Sequence, residues 1–426
     1  MSSQLLYGGT TDQRLPHIDG LKFLGVFWFL MTTNFTYSDH VEDDEALHAT
    51  IHERLCRRSY VAIQLFIVMS GFISHYGYNG RDFSNMAVTK KYFINRFLSI
   101  LACYYASVFV SHCVKSYAQC QTFWCGHKKV NEWLAVFAIL TLTQSWFGRH
   151  YAFWRNTKAF ILSTVAFSWV TYPFMKSPLQ RLSDKALKIS LIVVPIFALI
   201  PVTITLIVKG GMLQGNDWYW FYLFPLSRFP DFVFGVLLSE LFIRGNDKPV
   251  VLPKLADAAA LFIMIIIMSV PFAGRESVFD SLMIFLPMPL VGLVLYGTSC
   301  DPTGSLLGRF CSLEVCKRLG EFSFEVYMWS DAVQRIVVLI EFGAEENVKG
   351  LYLTPWYLLL MLIMLYPFSY AWYRYVDAPL RNYVYTSIPR GTGASPTKDD
   401  PTVDEKEMVK VEAGNSYKAP AVPESS

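Results

Sequence analysis

The sequence predicts an all-α fold, a polytopic transmembrane helix bundle of about 10–11 spans. Three observations predict it. Hydrophobic residues make up 53% of the 426 positions, and aromatic residues alone reach 16%. Charged residues fall to 17%, against about a quarter in soluble domains. Long apolar runs recur from Leu21 to Val376, and the mean hydropathy is +0.32.

Taken in chain order, residues 1–19 are polar and contain no apolar core, so no cleaved leader is expected and the first span acts as the insertion signal. A bilayer core needs about twenty mostly apolar residues per helix. The first candidates are Gly20–Tyr37, Ser59–Tyr78, Tyr92–Cys113, Glu132–Phe147, Lys158–Met175 and Leu187–Val208. They are followed by Tyr222–Ile243, Leu255–Ala273, Val278–Thr298, Phe322–Ile340 and Pro355–Tyr375. Pro225 and Pro230 interrupt the seventh candidate, where freed backbone groups need protein or water partners. Residues 20–386 therefore form one membrane domain. Residues 387–426 are rich in Pro, Gly, Ser and mixed charge, the composition of a disordered tail.

Several function classes are excluded. The net charge is only +3, and no basic, aromatic-interleaved patch suggests nucleic acid. The cysteines have no CxxC spacing, so no metal site is expected. Cys120 and Cys125 are candidates for a loop disulfide, with free thiols the equal alternative. The sequence does not fix an oligomeric state.

Ionisable residues within the spans carry the most information, because charge at membrane depth faces a bundle interior or a cavity. They are Lys22, Arg96, Arg228, Asp231, Glu240, Asp280, Glu325, Asp331 and Arg335. Some have a structural reading. Arg228 with Asp231, and Asp331 with Arg335, are spaced to neutralise each other on one helix. In the first span, Lys22 and Thr33 lie almost three full turns apart on one helical face, a rise of about 16 Å. Gly25, Val26 and Phe29 fill the stripe between them. A cation at one end and hydroxyls at the other suit an elongated, two-ended ligand. The alternative is a snorkelling lysine with threonines bonded to their own helix.

Six stretches, in order from Leu15 to Val384, resemble one known family. They are "HIDGLKFLGVFWFLMTT", "AIQLFIVMSGFI", "KKYFINRFLSILACYY", "FPLSRFPDFVFGVLLSEL", "LGEFSFEVYMWSDAV" and "YVDAPLRNYV". Together they are similar to acyltransferase family 3, multi-pass membrane O-acyltransferases. The resemblance implies transfer of an acyl group from an acyl-CoA-like donor to a hydroxyl of a carbohydrate, lipid or other acceptor. It implies no bound cofactor, only acyl-CoA as the donor substrate, with membrane lipid around the bundle. Lys22, Arg96 and Arg228 fall on positions expected to hold the donor, and Ser70, Gly71, Gly235 and Tyr327 on positions expected to shape the cavity. The family's two motif histidines fall on Thr33 and Ser330. Its acidic fifth-span position falls near Val165, and a second basic position in span three falls on Ser99.

A base near neutral pKa speeds attack of a hydroxyl on a thioester, and neither threonine nor serine supplies one. Asp331, beside Ser330, is the expected substitute, with His40 and His75 as alternatives. Catalysis by positioning alone is a second account. A non-catalytic relative that binds or transports a lipid or acyl carrier is a third.

Overall fold

The computed structural model describes residues 15–35, 54, 58, 60–117, 130–213, 216–245, 253–270, 277–342 and 355–387. Among the described residues there is no β-strand, as the sequence predicts. The helices are α1 Pro16–Phe35, α2 Tyr60–Tyr78, α3 Met86–Tyr117, α4 Glu132–Leu140, α5 Arg149–Ala152, α6 Phe160–Gln180, α7 Asp184–Val208 and α8 Asn216–Leu223. They continue as α9 Pro225–Arg244, α10 Pro253–Ser269, α11 Val278–Leu282, α12 Met288–Cys300, α13 Leu306–Cys311, α14 Glu314–Glu321, α15 Ser323–Phe342, α16 Pro355–Trp372 and α17 Ala378–Ser387. A π-helical turn, Tyr373–Asp377, joins α16 to α17. The compact unit ends at Tyr385. Cys120, Cys125, His40 and the tail from residue 388 lie outside the described residues.

Among the described residues, three helices are long and apolar enough to cross a membrane: Tyr60–Tyr78, the Met86–Val114 part of α3, and α7. They differ in what surrounds them. Most of α2 is buried inside the bundle, whereas α7 turns Ile192, Ile196, Phe197, Ile204 and Ile207 outward. A helix that is apolar all round and largely uncovered is suited to lipid contact.

Three of the expected spans are broken. The run Glu132–Phe147 does not make one helix, because α4 stops at Leu140. Nine residues rise only about 13 Å, less than half of a hydrocarbon core. The stop has a clear cause. Leu142 takes the left-handed conformation at φ 57°, and its N–H donates to Ile139 O at 3.1 Å. Thr143 N–H then closes onto Ala138 O at 2.7 Å. This is a Schellman ending with leucine where glycine is usual. The run Val278–Thr298 divides into α11 and α12 around Pro287. In the seventh candidate the break falls at Phe224, and α9 then runs on through Pro230.

Close helix crossings depend on glycine. A Cβ at Gly71 would strike the carbonyl of Phe232, and one at Gly235 would strike that of Val68. The seam between α2 and α9 is therefore nearly backbone on backbone, as small residues allow in membrane bundles. Gly320 packs the same way against the Asp19 backbone, drawing the end of α14 onto the start of α1. That second crossing brings the segments on either side of Gly320 toward Lys22.

Buried ion pairs tie other elements. Arg58 Nε reaches Asp280 Oδ1 at 2.7 Å, and Tyr60 donates to the same oxygen at 2.8 Å. Both side chains of the Arg58–Asp280 pair are fully buried. A pair this dry is tolerable only with its lone pairs filled, and Ser277 Oγ supplies a further donor to Asp280 Oδ2 at 3.0 Å.

Candidate active site

A cavity of about 220 Å³ opens between α1, α2, α3, α6, α15 and α17. Its wall is mostly apolar, from residues such as Val26, Met69, Ile100, Leu162 and Trp169. A few polar groups converge on it, the pattern of a small-molecule site. They are best followed helix by helix.

On α1 part of the expected stripe faces the cavity. Lys22 and Val26 line the cavity, and Phe29, two turns beyond Lys22, packs against Tyr327 with ring centroids 5.0 Å apart and the rings tilted. Lys22 Nζ pairs with Asp19 Oδ1 at 2.9 Å. Thr33 lies in the last turn of α1, and its side chain is outside the described residues.

From α2 comes Ser70, whose Oγ accepts a hydrogen bond from Trp169 Nε1 at 3.0 Å. Gly71, on the other face of the same helix, does not line the cavity; it and Gly235 make the α2–α9 seam. From α3 comes Arg96, only 8% exposed. Its guanidinium sits over the rings of Tyr78, Tyr92 and Trp169 at 5.5, 5.9 and 5.6 Å. Its Nε and Nη2 find no hydrogen-bond partner among the described residues. A guanidinium taken out of water with N–H groups unmatched is costly. It is the arrangement expected of a group whose partner is a ligand.

Two of the vacated family positions are also on the wall. Val165 and Ser99 both line the cavity. Ser99 Oγ turns back to Arg96 O at 2.9 Å. A cation reaches its backbone from elsewhere in the chain: Arg381 Nη2 donates to Ser99 O at 3.0 Å and to Glu325 Oε1 at 2.9 Å. Glu325 is fully buried and lines the cavity.

Arg228, Ser330, Asp331 and His75 lie elsewhere. Arg228 does not line the cavity. It pairs with Asp231 Oδ2 at 3.0 Å and donates to Ile284 O at 2.9 Å. Its position beside an acidic residue one turn away makes it a neutralised core group. Ser330 turns its hydroxyl onto Tyr327 O at 2.7 Å. Asp331, the expected substitute base, has Oδ2 on Arg335 Nε at 2.8 Å and Oδ1 on Thr157 Oγ1 at 2.6 Å. Neither residue reaches the cavity wall. His75 is likewise committed, with Nε2 on Glu240 Oε2 at 2.6 Å and Nδ1 on the Tyr172 hydroxyl at 3.1 Å. Tyr327 remains on the wall, with its hydroxyl donated to Lys158 O at 3.0 Å.

Residues 15–374 match the family described as an acyltransferase domain, acyltransferase family 3. The chain belongs to that family. With its apolar helices, it is a membrane protein of acyltransferase type. No curated protein and no solved structure matches it.

Proposed function

We propose that the protein is a multi-pass membrane O-acyltransferase, moving an acyl group from an acyl-CoA-like donor to a hydroxyl of a carbohydrate, lipid or other acceptor. The observation that carries the reading is Arg96. A nearly buried guanidinium with two N–H-bearing atoms unmatched, beside a mostly apolar cavity, fits a ligand with an anionic part and an apolar part. The phosphate and acyl portions of acyl-CoA supply both. Lys22 adds a second cation to the same wall. Arg228 has no part in this reading, because its charge is matched by Asp231.

The test is transfer by purified protein in lipid nanodiscs. Acyl-CoA labelled in the acyl group is supplied with panels of sugar and glycerolipid acceptors. Labelled ester and free CoA should appear in equal amounts. Absence of ester with every acceptor, at donor concentrations that saturate binding, would sink the proposal.

A second reading has its own support. Thr33 and Ser330 stand where the family places histidines, and the Ser330 hydroxyl is spent on its own helix. A relative that binds an acyl carrier without chemistry would bind acyl-CoA through Arg96 and release no CoA. The same assay separates the two.

A further inference from the structure

We infer that the cavity also takes a free medium-chain carboxylate, with its carboxyl group on Arg96 and its chain laid along α6. Binding of such an anion requires no chemistry, so the inference goes beyond acyl transfer; only competition with acyl-CoA rests on the reading above.

Among the described residues, the cations that line the cavity are Lys22, Arg96 and Arg381. Lys22 is paired with Asp19 at 2.9 Å, and Arg381 with Glu325 at 2.9 Å. Arg96 has no carboxylate partner among the described residues, and its unmatched atoms are Nε and Nη2. These two atoms form one edge of the guanidinium plane. A carboxylate meets such an edge with both oxygens, in two parallel bonds. The rings of Tyr78, Tyr92 and Trp169 hold the guanidinium from its faces and leave that edge to a ligand.

The path of the chain is set by α6. Trp169, Val165, Leu162 and Ile161 all line the cavity, and their spacing puts them on one helical face. Trp169 lies at the Arg96 end, with the guanidinium 5.6 Å from its ring and its Nε1–H donated to Ser70 Oγ at 3.0 Å. From Trp169 to Ile161 the helix rises about 12 Å. No polar side chain interrupts this track, because Val165 stands near the position where the resembled family carries an acid. Tyr327 closes the far end. Its hydroxyl donates to Lys158 O at 3.0 Å, just before α6 begins, and its ring lies 6.4 Å from that of Phe66 and 5.0 Å from that of Phe29.

A cationic edge at the head of a closed apolar track suits a carboxylate joined straight to a hydrocarbon chain. At about 30 Å³ per water-sized group, the cavity of about 220 Å³ holds about seven methylene-sized groups. With the carboxylate on Arg96, that is a ligand the size of octanoate.

The test is calorimetric binding of straight-chain carboxylates, from butyrate to dodecanoate, to purified protein in lipid nanodiscs, with free concentrations corrected against empty nanodiscs. Affinity should rise about fourfold per added methylene as far as octanoate and then stop rising. Octanol, which has the chain without the charge, should bind at least about tenfold more weakly, and Arg96→Met should erase that difference. Val165→Phe fills the track midway and should move the optimum to shorter chains. Ile161→Ala opens the far end and should move it to longer ones. A merely structural role would not give shifts in opposite directions from one helix face. Octanoate should also displace labelled acyl-CoA. Equal binding of octanoate and octanol, or affinity that keeps rising through dodecanoate, overturns the inference. Acyl-CoA binding with no octanoate binding overturns it too, and leaves the acyltransferase reading intact. Arg96-dependent octanoate binding that does not displace acyl-CoA overturns the donor's placement in this cavity instead. If Arg96→Met does not fold, Val165→Phe and Ile161→Ala decide, and an unmoved optimum in both refutes the assignment.

Discussion

Replacing Arg96 with Met separates a ligand-binding arginine from a structural one. On the donor side, a hydrogen bond to a charged group contributes about 1.5–3 kcal/mol. At about 1.4 kcal/mol per tenfold, Arg96→Met should weaken acyl-CoA binding roughly 10–150-fold. On the stability side, two effects oppose each other. Loss of the cation–π contacts with Tyr78, Tyr92 and Trp169 removes about 0.5–2 kcal/mol each. Relief of two unmatched N–H-bearing atoms returns about 1–3 kcal/mol each. The ligand-free protein should therefore change little in thermal midpoint, while the upward shift on adding acyl-CoA is largely lost. Arg96→Lys should be intermediate, since an ammonium keeps the charge but loses the planar fork. Calorimetric binding and differential scanning fluorimetry in the same detergent read both quantities. Unchanged acyl-CoA affinity, or a ligand-free protein destabilised by several kcal/mol, would refute the reasoning.

Other predictions follow from the packing. Gly71→Ala and Gly235→Ala should each destabilise by about 1–3 kcal/mol or more, because the new methyl meets a backbone carbonyl that cannot step aside; thermal midpoints measure this. Asp280→Asn should cost about 3–5 kcal/mol, since it strands the buried Arg58 guanidinium; an Arg58→Met, Asp280→Leu double variant should recover much of that midpoint. Asp331→Asn should reduce stability more than it reduces kcat in the surviving folded protein, because Asp331 is held by Arg335 and Thr157 away from the cavity. Hydrogen bonds from Lys317 and Arg318 hold exposed Glu314 at about 2. Its folded value is depressed, so its contribution is present above the ordinary glutamate range and is lost as pH falls toward 2; Glu314→Gln should remove that acid-side change in the melting profile.

The residues that could be read from sequence were those whose role is local. Lys22, Val26 and Phe29 share a helical face by spacing alone, and the structure puts that face on the cavity and on Tyr327. Arg96 stands out as a charge within an apolar run, Ser70 through the family resemblance, and both reach the wall. What escaped the sequence depends on contacts between distant segments. Arg228 and Arg96 look alike as single cations in spans. Only the fold shows that Asp231 neutralises the first, while the second faces aromatic rings and a cavity. Asp331 was attractive because it adjoins a vacated motif position, yet one residue along a helix turns a side chain by about 100°. The Glu325–Arg381 ion pair joins residues that no spacing rule connects. The stop at Leu140 escaped because its left-handed position is filled by leucine, with none of the glycine that usually marks such an ending.

The account stands most directly on what occupies the cavity. The measurement is a structure of the protein in nanodiscs with a non-hydrolysable acyl-CoA analogue. The account predicts the acyl group in the cavity and an anionic group of the analogue on Arg96 Nε and Nη2. An analogue bound elsewhere, with Arg96 still unmatched beside an empty cavity, would contradict it.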